Sequence, residues 1–250
     1  MVKSNKPGKY LACFVILLLA GIFFIVSNSD TILATNQVDQ VINSSGEFIK
    51  QNPKLLLQSV KSVENFYNVS NNTLAWVNEI PISSEEFLFR QGLKKANGDK
   101  FQDDQSVFNI LVEEKAILDY AIKNNLVPTD AELEKFINYE RNFDNTGEEY
   151  QNMVQAFSKQ TGITEDEYYN TYEKYNAFRV LLLENVYKYK LEDGLKNGKI
   201  SFDNDVFTQA KEEKAYWNDV KMEIKTAANI KYNNKYKDLN LMVDDTKIYK

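Results

Sequence analysis

The stretch "LAWVNEIPISSEEFLFR", residues 74–90, decides the fold expected for this chain. It begins with a short apolar run, continues through Asn78 and Glu79, which suit a turn, and enters a second apolar run that contains Pro81. Because proline cannot donate a hydrogen bond within the middle of a sheet, the second run predicts an edge strand. A charged segment with helical spacing follows at once. The stretch therefore predicts a β-hairpin that leads directly into a helix.

Three Ser/Thr–Glu pairs at the spacing of a capping box mark helix starts along the chain. In this motif the hydroxyl accepts a hydrogen bond from a backbone N–H three residues later, and the acid reaches back to the capping residue. Each pair precedes a run with the apolar periodicity of a helix, so three helix starts are marked independently. The pairs are Ser83 with Glu86, Thr129 with Glu132, and Thr164 with Glu167.

Apolar periodicity extends these starts into a mainly helical fold. The sequence contains no alternating strand–helix pattern, no fixed-period repeat and no glycine-rich phosphate loop. The expected fold class is therefore mainly α, a multi-helix domain with a small β-hairpin, preceded by an N-terminal membrane segment. The predicted helices after the hairpin helix are 104–124, 129–142, 148–159, 164–195 and 205–228, with a short strand at 229–231.

The composition argues against several classes of function. A formal charge of −6 lacks the basic surplus that binds phosphates, so nucleic acid is not an expected partner. The chain has no histidine, which excludes His-based nucleophile pairs and His-ligated zinc. It has one cysteine, Cys13, which excludes an internal disulfide. We therefore predict no catalytic residues, no metal and no cofactor. Chemistry by paired carboxylates remains open, because the chain has 36 Asp and Glu residues.

The N-terminal residues have the pattern of an export signal or a membrane anchor. Lys3, Lys6 and Lys9 precede an uncharged stretch that runs from Leu11 to Val26. As a helix this stretch would be about 24 Å long, between the usual lengths of a signal peptide and of a membrane span. A retained single-pass anchor is the preferred interpretation, and a cleaved signal peptide is the alternative. Both place the rest of the chain outside the cytoplasm.

The expected domain organisation has three parts. Residues 1–29 form the signal-anchor or signal peptide, and residues 30–73 form a juxtamembrane stalk with one helix that begins near Pro53. Residues 74–250 form one helical domain.

An aromatic stripe lies on the predicted long helix. Tyr168, Tyr172 and Tyr175 follow steps of three and four residues, and Phe178 flanks them. Tyrosine offers a large contact area at low rotamer cost, which suits the binding of varied apolar segments. The stripe either packs the helix against its neighbours or lines a partly open groove. In the second case these four residues are the candidate client-binding residues.

Three motifs in order resemble the amino-terminal chaperone domain of the SurA, PpiD and PrsA group. They are "VNEIPIS" at 77–83, a helix pair within 111–137, and "GITEDEY" at 162–168, and the resemblance extends over about 74–232. Glu79 stands where the family has a turn glycine. The parvulin prolyl isomerase module of the family is not expected, because too few residues follow the long helix and none is a histidine.

The resemblance implies a protein that holds unfolded or extended polypeptide segments outside the cytoplasm. It would be tethered to the membrane or secreted, and it would work without catalysis or cofactor. One alternative is a non-catalytic interaction or structural subunit that binds one fixed partner at the outer membrane face. A further alternative is a residual peptidyl-prolyl isomerase.

Overall fold

The computed structural model describes residues 35–67, 72–201 and 206–249, and these residues are mainly helical with one small sheet. The fold class expected from the sequence, mainly α with a small β element, is therefore confirmed for this part of the chain. In chain order the elements are α1 (Thr35–Gln51), α2 (Pro53–Glu64), β1 (Thr73–Val77), β2 (Ile80–Ser83), α3 (Ser84–Ala96), α4 (Asp104–Lys123), α5 (Asp130–Arg141), α6 (Phe143–Thr161), α7 (Glu165–Tyr168), a π-helical turn (Tyr169–Glu173), α8 (Lys174–Lys196), α9 (Val206–Thr226), β3 (Ile230–Tyr232) and a 3-10 helix (Asn234–Leu239).

The helix starts agree with the capping signals. Thr164 and Glu167 form a complete capping box at the start of α7. At α3, the Ser83 hydroxyl accepts a hydrogen bond from the Glu86 N–H at 3.1 Å. The Glu86 carboxylate, however, binds the Lys115 ammonium at 2.9 Å. This helix start thus combines the hydroxyl half of a capping box with an ion pair that is buried in the fold.

The long helix predicted at 164–195 is interrupted. A π-helical turn, Tyr169–Glu173, separates α7 from α8. A π turn adds a residue to the helical period, and such turns often occur at functional sites. Tyr168, Tyr169, Tyr172 and Glu173 are all buried around this turn.

The chain forms two compact units. Within the described residues, unit 1 consists of 35–61, Leu88–Gln102 and Asp130–Ala177, and unit 2 consists of Ser62–Phe87, Asp103–Thr129 and 178–249. This differs from the expected division into a stalk at 30–73 and one domain at 74–250. The stalk region forms two helices, and α1 packs against α6 in unit 1. The physical reason is that α1 has an apolar face that includes Ile42 and Ile49, which are buried.

Unit 1 is a helical packing in which α6 contacts α1, α5 and α7. Gly92 of α3 allows a close approach, because a Cβ atom there would lie 2.0 Å from the ring of Phe48 in α1. Phe48 in turn contacts Phe89, with ring centroids 6.2 Å apart. Within α6, Gly147 has φ 79°, a left-handed conformation that favours glycine.

Unit 2 contains the sheet, with strand order β2-β1-β3 and antiparallel pairing throughout. The predicted hairpin is confirmed, with β2 and its Pro81 at an edge. The turn residue Asn78 has φ 52°, and its side-chain amide donates to Asp119 Oδ2 at 2.6 Å. Helix α4 packs against both hairpin strands and against α9. The core of unit 2 therefore lies around α4, where Phe108 and Leu111 are fully buried.

The predicted membrane segment from Leu11 to Val26 lies outside the described residues. Among the helices that the structure describes, none is long and apolar enough to cross a membrane.

Candidate functional site

The four candidate client-binding residues are buried. Tyr168, Tyr172 and Tyr175 in unit 1 have exposed fractions of 0%, 1% and 1%, and Phe178 in unit 2 has 4%. Of the two interpretations of the stripe, the structure shows core packing rather than an open groove. The physical reason is that neighbouring aromatic rings cover the stripe, as apolar side chains at helical spacing usually require.

The tyrosines of unit 1 belong to an aromatic cluster. The ring centroid of Phe157 lies 4.8 Å from that of Tyr172 and 5.5 Å from that of Tyr168. Tyr168 and Tyr169 meet edge to face at 5.0 Å. Such contacts stabilise the packing beyond simple burial, so this cluster anchors α6 against the π-helical turn.

Two glutamates lie inside the same cluster. Glu140, at the end of α5, and Glu173, at the end of the π-helical turn, are both 0% exposed. The Tyr168 hydroxyl donates a hydrogen bond to Glu173 Oε2 at 2.8 Å. Both carboxylate oxygens of Glu140 and the second oxygen of Glu173 lack a donor when the two groups are ionised. A proton shared between the two carboxyl groups supplies a hydrogen-bond donor inside the pair.

The pKa values agree with a shared proton. Burial, reinforced by the charge of Glu173 and a hydrogen bond to it, holds the pKa of Glu140 well above its usual range. Burial also raises the pKa of Glu173, to about 7, although the hydrogen bond from Tyr168 and the neighbouring Glu140 carboxyl group act in the opposite direction. Because both carboxyl groups are sealed from solvent, the pair presents no face to a substrate. We therefore assign it a structural role in unit 1.

A line of polar side chains on α4 forms a different kind of site in unit 2. Gln105, Asn109 and Glu113 are spaced four residues apart, so they share one face of the helix. We call these three residues the α4 strip. The C-terminal tail, residues 240–249, lies along this strip.

The first two residues of the α4 strip bind the backbone of the tail. Gln105 accepts a hydrogen bond from the Met242 N–H at 3.0 Å and donates one to the Met242 carbonyl oxygen. Asn109 donates to the same carbonyl oxygen at 3.0 Å and accepts from the Asp244 N–H at 2.7 Å. Side-chain amides can donate and accept at once, which matches the two groups of a peptide unit.

The third residue of the α4 strip binds the end of the tail. Glu113 Oε1 accepts hydrogen bonds from the Tyr249 N–H at 2.8 Å and from Lys225 Nζ at 3.1 Å. Lys225 Nζ also donates to the Lys247 carbonyl oxygen at 3.0 Å and lies 5.3 Å from the centre of the Tyr249 ring. Burial raises the pKa of Glu113, while its hydrogen bond from Tyr249 and the charge of Lys225 lower it.

The α4 strip recognises main chain rather than side chain at Met242. Both backbone groups of this residue are bound, yet its side chain is 67% exposed. The tail side chain that is buried is Tyr249, at 6% exposure. The site therefore combines a main-chain clamp that tolerates sequence variation with one aromatic anchor.

Sequence reasoning did not identify the α4 strip. The signal was present as three polar residues at four-residue spacing, two of them next to the apolar residues Phe108, Ile110 and Val112. Asn109 and Glu113 are 0% and 1% exposed, and buried polar groups need partners. The sequence did not show that the partner is the tail, because the two segments lie far apart in the chain.

No known protein family, curated protein or solved structure matched this chain. The resemblance to the SurA-type domain therefore stays a prediction from the sequence motifs. Within the described residues, no group of three or more acidic, cysteine or histidine side chains is placed to hold a metal ion.

Proposed function

We propose that this protein holds extended polypeptide segments outside the cytoplasm, in the manner of a chaperone and without catalysis or cofactor. Its tether would be the apolar stretch from Leu11 to Val26. The observation that carries the proposal is the α4 strip, which binds both backbone groups of Met242 and leaves the side chain of that residue in solvent.

All unfolded chains share the polar groups of the backbone. Their side chains differ, but each non-proline residue presents one N–H and one C=O group that needs a partner. Capture of an extended backbone by hydrogen bonds, with pockets for selected side chains, is a general mode of peptide recognition. The α4 strip has this arrangement, with Gln105 and Asn109 as the clamp.

The energies suit transient holding. A hydrogen bond within a protein contributes a net 0.5–1.5 kcal/mol, roughly, because water competes for the same groups. The contacts of Gln105 and Asn109 with the backbone of residues 242 and 244 would thus give a moderate and reversible hold. Release then needs no nucleotide or other energy source.

The sequence supports the proposed location. Lysines followed by an apolar stretch favour export with the N-terminus inside. The motifs that resemble the SurA-type domain favour the same location and the same activity.

The first test is suppression of aggregation. We expect the purified full-length protein in detergent to slow the aggregation of several unrelated denatured proteins. Protection of only one of them would favour the alternative, a structural subunit with one fixed partner. Turnover of a prolyl peptide above the uncatalysed rate would contradict the non-enzymatic assignment.

The second test locates the binding surface. A photocrosslinking amino acid is placed at Gln105, and in a matched control at Asn197, an exposed amide residue of unit 2. The probe is α-lactalbumin that has been reduced and alkylated so that it stays unfolded. We expect crosslinks from position 105 and not from position 197. Equal yields from both positions would show that the α4 strip is not the binding surface.

A further inference from the structure

We propose that the tail, residues 240–249, is a resident ligand of the α4 strip, and that an extended segment with an aromatic residue displaces it. The incoming segment would place its aromatic ring where Tyr249 now lies. This inference rests on the proposed function and adds the class of ligand and the control of the site.

The contacts of the tail with the α4 strip are ones that other polypeptides can make. Gln105, Asn109 and Glu113 bind the backbone groups of residues 242, 244 and 249. No side chain of the tail takes part in these hydrogen bonds. A second polypeptide in the same extended conformation therefore offers the same donors and acceptors.

The aromatic requirement follows from the surroundings of Tyr249. The ring is buried and lies 5.3 Å from the ammonium group of Lys225, which is a cation–π distance. The Tyr249 hydroxyl donates to Asp244 Oδ2 at 2.9 Å, so its partner belongs to the tail itself and not to the strip. Either a tyrosine or a phenylalanine in the incoming segment would thus fill this place.

The strip remains electrostatically balanced when the tail leaves. Lys225 and Glu113 form an ion pair at 3.1 Å, with both side chains 1% exposed. The pair joins α4 to α9, and neither of its residues belongs to the tail. Departure of the tail removes hydrogen bonds from the strip but leaves no isolated buried charge, which would be costly.

The tether gives the tail an advantage over outside ligands. A segment attached to the same chain has an effective concentration in the millimolar range, about that of short flexible linkers. Weak docking is therefore enough to keep the α4 strip occupied. The apparent affinity for another segment is reduced in proportion to the fraction of molecules whose strip is vacant.

The experiment compares Tyr249→Ala with Tyr249→Phe in the full-length protein. The alanine variant loses the anchor, whereas the phenylalanine variant keeps the ring. In the alanine variant we expect faster hydrogen exchange at the amides of Met242 and Asp244, and binding of unfolded α-lactalbumin that is tighter by about tenfold or more. In the phenylalanine variant we expect both measurements to stay close to wild type.

A second substitution tests the strip directly. In the Tyr249→Ala background, Asn109→Ala should weaken binding of the probe about tenfold, because it removes two hydrogen bonds to the ligand backbone. The matched control in the same background is Asn197→Ala, which should leave binding unchanged. The Tyr249→Ala background is needed because, in the wild-type chain, Asn109→Ala weakens the binding of the tail and the binding of the probe together.

The outcomes separate the inference from the proposed function. If Tyr249→Ala frees the tail but leaves probe binding unchanged, the inference is overturned and the holding activity resides on another surface. If no variant binds the probe but a free peptide of residues 240–249 docks on Tyr249→Ala, the displaceable tail is supported and the proposed function fails.

A measurement on the wild-type chain covers the case in which Tyr249→Ala does not fold. Excess free peptide of residues 240–249 should accelerate hydrogen exchange at the protein's own Met242 and Asp244 amides. A peptide labelled with heavy isotopes keeps the two copies distinct by mass. No acceleration at saturating peptide would overturn the inference.

Discussion

Replacing Glu140 with glutamine should flatten the pH dependence of the stability of unit 1. Glu140 and Glu173 are fully buried side by side and have raised pKa values. Glutamine keeps the shape of Glu140 and can donate a hydrogen bond to the Glu173 carboxylate at every pH. The substitution therefore removes a proton-binding group with little change in packing.

The sign follows from proton counting. Both pKa values are raised above the ordinary value of 4.5, so above that pH the folded chain keeps protons that the unfolded chain has released. The free energy of unfolding then falls as pH rises, by up to about 1.4 kcal/mol per pH unit for each carboxyl group. The contribution of Glu173 ends near pH 7, its folded pKa, and that of Glu140 continues above it.

In Glu140→Gln the part of this loss that belongs to Glu140 disappears. We expect the variant to match the wild type near pH 5, where both carboxyl groups are protonated in the folded chain. Above pH 5 the variant should become progressively more stable than the wild type, by up to about 1.4 kcal/mol per pH unit until Glu140 ionises in the folded wild-type chain. The control Glu134→Gln makes the same charge change at an exposed position of α5 and should follow the wild type.

The assay must report on unit 1 alone. Both tryptophans, Trp76 and Trp217, belong to unit 2, so their emission follows unit 2 during urea unfolding. Unit 1 is followed by pulsed hydrogen exchange with mass spectrometry of fragments from 130–177, at a series of pH values. Equal pH slopes for wild type and Glu140→Gln in these fragments would refute the shared proton.

Two further substitutions test the packing of each unit. Lys115→Met should destabilise unit 2 by about 3–5 kcal/mol in urea unfolding followed by tryptophan emission, because it removes the ammonium partner of the Glu86 carboxylate, which is 2% exposed. The double variant Glu86→Leu/Lys115→Met should recover most of this loss, and no recovery would contradict the role of the ion pair. Gly92→Ala should destabilise unit 1 by about 1–3 kcal/mol, because the new Cβ would lie 2.0 Å from the Phe48 ring. Hydrogen exchange in the fragments from 130–177, measured at rising temperature, reports the change. The control is Lys95→Ala, at an exposed position of the same helix, which should be neutral. Equal destabilisation by both substitutions would contradict the clash.

Local signals in the sequence predicted most of the helices and the hairpin. The helix predicted at 104–124 is α4, Asp104–Lys123, and the one predicted at 205–228 is α9, Val206–Thr226. These predictions succeed because apolar periodicity and capping involve residues within a few positions of one another. The π-helical turn was missed, because its extra residue does not change the spacing of apolar residues enough to be visible.

The burial of the aromatic stripe could not be predicted from the sequence. The spacing of Tyr168, Tyr172 and Tyr175 is the same for a groove and for a core. The rings that cover them, such as Phe157 and Phe89, come from other helices of unit 1. Composition and periodicity do not show which helices meet.

By itself, the sequence determined the fold class and the positions of most helices, since these depend on local pattern and on residue types. Only the tertiary structure decided the division into two units, the burial of the Glu140–Glu173 pair and the docking of the tail on the α4 strip. The hydrogen bond from the Asp244 N–H to Asn109 joins residues 135 positions apart. Contacts at such separations form only when helices and strands pack together. Local sequence patterns therefore do not predict that the polar residues of α4 bind the tail.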